Sequence, residues 1–248
     1  MSARTVADHL FSDERLAALY DLFSGRRQDF DFYMKWVLAA PSVLDVGCGT
    51  GALLHRAREA GHNGRLCGLD PAFGMLAQAR KRTDIEWILG DLSSAQFDRE
   101  FDLVVMTGHA FQVLVTDDEI RTSLAAIRRA LTDDGRFAFE TRNPLVREWE
   151  RWTPDKVARV TDSDGALVCM SREVEMVDGE TVSFRHTFTG SNWDAPQTSR
   201  STLRFLDADR LSAFLTEAGL AIDRQFGDWD GSLFTSSSRE IITFARRR

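Results

Sequence analysis

Residues 42–54, SVLDVGCGTGALL, constrain this chain more than any other stretch. Val43 to Val46 predict a short buried strand, and a helix opens a few residues later. Between them Gly47, Gly49 and Gly51 alternate with other residues, so the turn lacks side chains at the points where a ligand has to approach the backbone. The helix beyond offers its unpaired N–H groups to that ligand. Strand, glycine turn and helix in this order form a cradle for a nucleotide-like cofactor, and a chain that carries one is read as an enzyme.

The remaining sequence extends the same pattern. Two helices are predicted first: residues 13–24 put Leu16, Leu19, Tyr20 and Phe23 on one face, and residues 28–39 do the same with Phe30, Tyr33, Met34 and Val37 before Pro41 stops them. After SVLDV come RLCGLD, a helix from Pro71 to about Arg82, then IEWILGD and FDLVVM, a helix whose Thr116 and Glu119 form a capping box, and RFAFET after the turn TDDG. Five short apolar strands separated by helices imply a mostly parallel sheet covered on both faces. After Asn143-Pro144 the pattern breaks. KVARVTD, ALVCMSREVEMV, TVSFRHTFTG and RSTLRFL read as antiparallel strands, with SDG and DGE as hairpin turns. Asp207 then caps a last helix that Gly219 ends, and strands near 220–226 and 240–246 finish the chain.

Composition narrows the partners. The chain has 248 residues, with 31 basic and 38 acidic side chains and a net charge of −7, which argues against nucleic acid. The three cysteines, Cys48, Cys67 and Cys169, are scattered without a CxxC pair, so neither a disulfide framework nor a zinc site is expected, and no metal-ligand cluster is apparent. No stretch approaches the roughly 18 apolar residues of a membrane span. The expectation is a cytoplasmic protein with a small-molecule partner.

On the glycine turn alone two cofactors remain open, because Gly47, Gly49 and Ala52 also satisfy the GxGxxA form of a dinucleotide fingerprint. The surrounding carboxylates separate them. Asp45, two residues before the first glycine, repels a pyrophosphate and attracts an ammonium or sulfonium. Asp70 ends the second strand, where an acid accepts both hydroxyls of a ribose. Asp91 ends the third, within reach of an adenine amino group. Each has a local alternative: support of the glycine turn for Asp45, and helix or turn capping for Asp70 and Asp91.

VLDVGCGTGALL, GLDPAFGMLAQAR, GDLSS, FDLVVMTGHAFQVL and LTDDGRFAFET, in this order and spacing, resemble the five motifs of class I S-adenosylmethionine-dependent methyltransferases. The resemblance covers roughly residues 20–145 and resumes in the last two strands. It implies an α/β fold with a seven-stranded Rossmann-like sheet of order 3-2-1-4-5-7-6, helices on both faces, and an antiparallel β insertion after strand five. The expected division is a helical cover over 1–40, a cofactor-binding part over 41–145 and 205–248, and the insertion over 146–204 near the substrate. Carried over, the family pattern puts Asp45, Gly47, Gly49 and Gly51 around the methionine part of the cofactor, Asp70 on the ribose, Pro71 and Met75 beside adenine, and Asp91 and Leu92 on the adenine amine and ring. Met106, Thr107 and Gly108 then line the sulfonium region, and Tyr33 closes over the methionine end.

The implied activity is methyl transfer to a nitrogen or oxygen of a small molecule. His109, just past the fourth strand, is the candidate general base, with local loop packing as its alternative. The chain is distantly similar to amino-sugar N,N-dimethyltransferases, which carry a histidine where this sequence has Val113. Arg142, Asn143, Arg147 and His186 are candidate substrate contacts, the two arginines for an acidic substrate. A non-catalytic cofactor-binding module and a nicotinamide-dependent oxidoreductase are the competing readings.

Overall fold

The computed structural model describes residues 7–248. The first six residues of the expected N-terminal cover lie outside that range. Two helices, α1 (His9–Ser12) and α2 (Glu14–Ser24), precede α3 (Gln28–Ala39). Then β1 (Ser42–Val46), α4 (Ala52–Glu59), β2 (Arg65–Asp70), α5 (Phe73–Ala79), β3 (Glu86–Leu89), β4 (Phe101–Met106), α6 (Asp117–Ala130) and β5 (Leu131–Arg142) alternate. Strands β6 (Ala158–Thr161), β7 (Leu167–Asp178), β8 (Thr181–Gly190) and β9 (Gln197–Arg204) follow, then α7 (Ala208–Glu217), β10 (Leu220–Phe226) and β11 (Glu240–Arg247).

The main sheet runs β3-β2-β1-β4-β5-β11-β10, with β11 antiparallel to both neighbours. This is the expected order. Successive side chains of the central strands go to opposite sides. Leu44, Val46, Val104, Met106, Phe137 and Phe139 pack with Ile120, Leu124 and Leu211 of α6 and α7. Val43, Leu103, Val105 and Ala138 pack with Phe30, Tyr33 and Val37 of α3 and Leu53 and Leu54 of α4. The continuous apolar runs of β1 and β4 follow from this double coverage.

Local signals largely agree with their elements. Thr116 Oγ1 accepts the Glu119 N–H while Glu119 Oε2 accepts the Thr116 N–H at 2.8 Å, a complete capping box. Two differences are instructive. Helix α5 starts at Phe73 rather than Pro71, because Ala72 is extended and spends its N–H on Asp70 Oδ1 at 2.8 Å. Strand β5 already begins at Leu131, which pairs with Phe101; the register shifts across TDDG before Arg136 pairs with Leu103.

Strands β6-β7-β8-β9 form a separate antiparallel sheet. On β8, Val182, Phe184, His186 and Phe188 alternate onto its buried face. Trp149 and Trp152 pack there with Phe184 and Phe205 as a small core. Leu10 and Leu16 close on Phe188, and the Leu10 N–H donates to Ser199 Oγ at 2.9 Å, so α1 and α2 are fastened to this sheet. Among the described residues no helix is long and apolar enough to cross a membrane.

Candidate active site

A cavity of about 450 Å³ opens where β1, β2 and β4 end. Helices α1 and α2 roof it with Leu10, Phe11, Tyr20 and Phe23, and the second sheet walls it with Met170, Arg172, Phe184, His186 and Phe188. The C-terminal ends of parallel strands are where open α/β sheets bind ligands.

The glycines of the turn have different jobs. Gly49, at φ +56°, faces the cavity; the nearest atom to a Cβ placed there is Met75 Sδ at 4.0 Å, so the surface is bare backbone. Gly51, at φ +75°, does not line the cavity, and a Cβ on it would overlap the Trp87 ring. Its missing side chain serves packing. Gly47 does line the cavity, and its N–H donates to the Leu69 carbonyl at 2.8 Å. Thr50 Oγ1 donates to Asp21 Oδ1 at 2.8 Å, tying the turn to α2.

Asp70 lies at the cavity and braces its walls: Oδ2 accepts the Gly49 N–H at 2.8 Å and Oδ1 the Ala72 N–H. Burial raises its pKa against those two hydrogen bonds. Asp91 Oδ1 accepts from the Ser93 N–H and hydroxyl and from the Ser94 N–H. Partial burial works against these bonds, but they win and hold Asp91 below its ordinary value. Both local capping uses are therefore present beside an open cavity face. Pro71, Met75, Leu92, Met106, Thr107 and Gly108 also line the cavity.

Asp45 sits beneath the turn, off the cavity surface. Its Oδ1 is buried without a hydrogen-bond partner among the described residues. Burial pushes its pKa up to about 8; Arg27 opposes this, while Asp70 and Glu140 add to it. Arg27 itself is committed to Asp29. The cradle thus holds more buried carboxylates than buried cations, which suits a cationic ligand.

Tyr33 does not close over the cavity. It is fully buried under the sheet, donates its hydroxyl to Glu140 Oε2 at 2.7 Å, and meets Phe32 edge-on. Glu140 Oε1 accepts the His109 N–H at 2.7 Å. His109 takes the left-handed conformation at φ +64°, which that bond supports. Its ring borders the cavity with Nε2 2.9 Å from Glu240 Oε2. Burial, followed by the Arg142 charge, lowers His109 to about 3, and burial raises Glu240 to about 8. At neutral pH the pair holds one proton between Nε2 and Oε2.

Of the expected substrate contacts, Arg142 and His186 reach the cavity. Asn143 does not: it holds the following loop, donating to the Ser236 and Ser238 carbonyls and accepting the Leu145 N–H. Arg147 is exposed and pairs with Glu150 at 2.8 Å. Arg142 Nη1 donates to Gln112 Oε1 at 3.0 Å, and Arg172 Nε donates to His186 Nε2 at 3.0 Å. The Arg142 and Arg172 guanidiniums lie 5.4 and 4.8 Å from the Trp152 ring centre.

Sequence reasoning missed Tyr20, Arg172 and Glu240. Tyr20 carried only a helical-face signal. Arg172 depended on the strand register of β7, and Glu240 meets His109 across 131 positions of chain.

Known proteins agree with this architecture. The family model described as a methyltransferase domain matches residues 43–135. The chain is 27% identical to the cypemycin N-terminal methyltransferase of a Streptomyces species, across 98% of this chain and 100% of that one. It is 30% identical to the 2-phytyl-1,4-naphtoquinone methyltransferase of Thermosynechococcus vestitus, across 56% of this chain and 68% of the relative. The CcbJ methyltransferase of Streptomyces caelestis shares the fold at a TM-score of 0.76 and 20% identity, covering 96% of this chain and 98% of that one. The chain belongs to the S-adenosylmethionine-dependent methyltransferases. It is an enzyme of that class, and its cofactor is S-adenosylmethionine.

Proposed function

We propose that the cavity holds the cofactor along the glycine turn and that the chain methylates a nitrogen or oxygen of a small molecule presented from the insertion side. The observation that carries the cofactor placement is the unpartnered, buried Asp45 Oδ1 beneath a turn whose Gly49 leaves open room. A cationic ligand supplies the charge that this carboxylate lacks. Gly47 and Gly49 would border the methionine part, Asp70 the ribose, and Met75, Asp91 and Leu92 the adenine. Asp91 Oδ2 takes no part in the turn that Oδ1 caps, so it is available to an amino group. On this reading, residues 41–145 and 205–248 bind the cofactor, and the insertion with α1 and α2 builds the acceptor side.

S-Adenosylmethionine supplies an activated methyl group on a sulfonium. The chain's own part is alignment and exclusion of water. Positioning two reactants is worth about 7–11 kcal/mol. Leu10, Phe11, Phe23, Met170 and Phe188 make the roof and far wall apolar. An amine or hydroxyl acceptor also loses a proton, and the His109–Glu240 pair at that end of the cavity can take it once Glu240 has ionised, above about pH 8. Cypemycin N-terminal methyltransferase acts, by its name, on an amino terminus, which fits the nitrogen option.

Calorimetric titration tests the placement. S-Adenosylhomocysteine is expected to bind and NAD to give no signal. Asp70→Ala is expected to weaken S-adenosylhomocysteine at least tenfold; unchanged affinity would remove Asp70 from the site.

A further inference from the structure

We propose that Arg142, Arg172 and His186 form a carboxylate-binding subsite that recognises the methyl acceptor. This rests on the methyltransferase reading and names the substrate class within it. Two other arginines withdrawn from solvent are matched inside the chain: Arg27 pairs with Asp29, and Arg204 with Glu180 and Asp117. Arg142 and Arg172 form no ion pair among the described residues, although both are half-buried and both line the cavity. A guanidinium withdrawn from water without a salt bridge is costly: Glu240, Glu140 and Glu148 offset the burial of Arg142 only in part, Glu148 does the same for Arg172, and the two arginines repel each other. An anion between them removes both penalties.

The hydrogen-bond polarity points the same way. Arg172 Nε has only a proton to give, so His186 Nε2 accepts, and the neutral ring carries its own proton on Nδ1. That Nδ1 is buried without a partner among the described residues. Burial, then the Arg172 charge, lowers His186 to about 3, so the ring is neutral at pH 7. The subsite therefore offers donors from two guanidiniums and one imidazole. An amide or alcohol would place its own donor against them, whereas a carboxylate brings only acceptors. Trp152 lies against both guanidiniums, and Gln112 holds the Arg142 fork in place. Held here, the carboxylate acts as the handle of the acceptor, and the methylated atom lies elsewhere on it.

The test uses the full chain saturated with S-adenosylhomocysteine, at constant ionic strength set by chloride. Acetate and benzoate are titrated against acetamide and benzamide, with inorganic phosphate as a separate arm, and binding is read by chemical-shift perturbation and by melting temperature. At least one carboxylate is expected to bind, its amide not to, and Arg142→Met and Arg172→Met each to weaken it at least tenfold. Arg142→Lys and Arg172→Lys keep the charge and are expected to retain part of the affinity, which guards against a folding defect in the methionine variants. S-Adenosylhomocysteine affinity is expected to stay within twofold in all four. Equal binding of carboxylate and amide, no carboxylate binding, binding that survives in both methionine variants, or binding of phosphate alone would each overturn the proposal. Failure of S-adenosylhomocysteine to bind the unmodified chain would instead overturn the cofactor placement.

Discussion

Among single residues, the clearest contrast is between two glycines that share one motif. Both need a left-handed backbone, but only Gly49 faces the cavity, while Gly51 is pressed against Trp87. Gly51→Ala adds overpacking to strain and is expected to cost about 2–4 kcal/mol of stability. Gly49→Ala meets no protein atom closer than Met75 Sδ at 4.0 Å, so it is expected to cost only about 1–2 kcal/mol of backbone strain. The same methyl group stands where the ligand would approach, so Gly49→Ala is expected to lose far more S-adenosylhomocysteine affinity than stability. Melting temperature and calorimetric affinity, measured on both variants, separate the two roles; equal losses in both quantities would refute the division. The sequence shows three equivalent glycines because a motif records what the backbone needs, not which neighbour fills the space.

For elements, legibility follows how local the information is. The start of helix α6 was readable to the residue, since Thr116 and Glu119 satisfy each other within four positions, but its end was not: Leu131, which continues the apolar face, opens β5. The parallel, doubly covered character of the central sheet followed from strand–helix alternation, and its order only from the family resemblance. Side-chain destinations were harder. A 3.6-residue period shows that Tyr20 and Tyr33 each face something apolar, but not that α2 lies on the cavity and α3 beneath the sheet. Period two on β7 and β8 likewise leaves the face open, and only the pairing of Arg172 with His186 decides it. Helix α2 is tied to the glycine turn, whereas α6 packs mainly on the core and meets the cavity only with Glu119 and Ser123, so disturbing them should have different consequences. Thr116→Ala is expected to lower stability by about 1 kcal/mol with unchanged S-adenosylhomocysteine affinity. Asp21→Ala frees the glycine turn from α2 and is expected to lower affinity about fivefold, the equivalent of about 1 kcal/mol for the lost hydrogen bond. If Asp21→Ala lowers only the melting temperature, α2 is merely a packing element.

Across the whole molecule, buried titratable groups give the fold a pH dependence with a definite sign. Asp45 and Glu240 are both raised to about 8 by burial, so between the ordinary carboxylate range and pH 8 the folded chain holds two protons that the unfolded chain has lost. Their contribution therefore makes stability fall as pH rises through that window. His109 and His186 act in the opposite direction. Burial lowers both to about 3, so the unfolded chain holds their protons below about pH 6.5. The two pairs offset each other from about pH 5 to 6.5, and above that only the acids remain. The unliganded protein is expected to lose on the order of 2 kcal/mol per pH unit between 6.5 and 8, visible as a fall in melting temperature that is steepest near pH 7 and eases toward pH 8. Asp45→Asn removes one of the two protons and should roughly halve that slope. A ligand ammonium beside Asp45 favours its charged form, so S-adenosylhomocysteine affinity should rise with pH over the same window, up to about tenfold per unit, and Asp45→Asn should abolish the rise. A melting temperature that climbs from pH 6.5 to 8 would contradict the burial of these acids, whereas an affinity rise that persists in Asp45→Asn would detach this carboxylate from the cofactor.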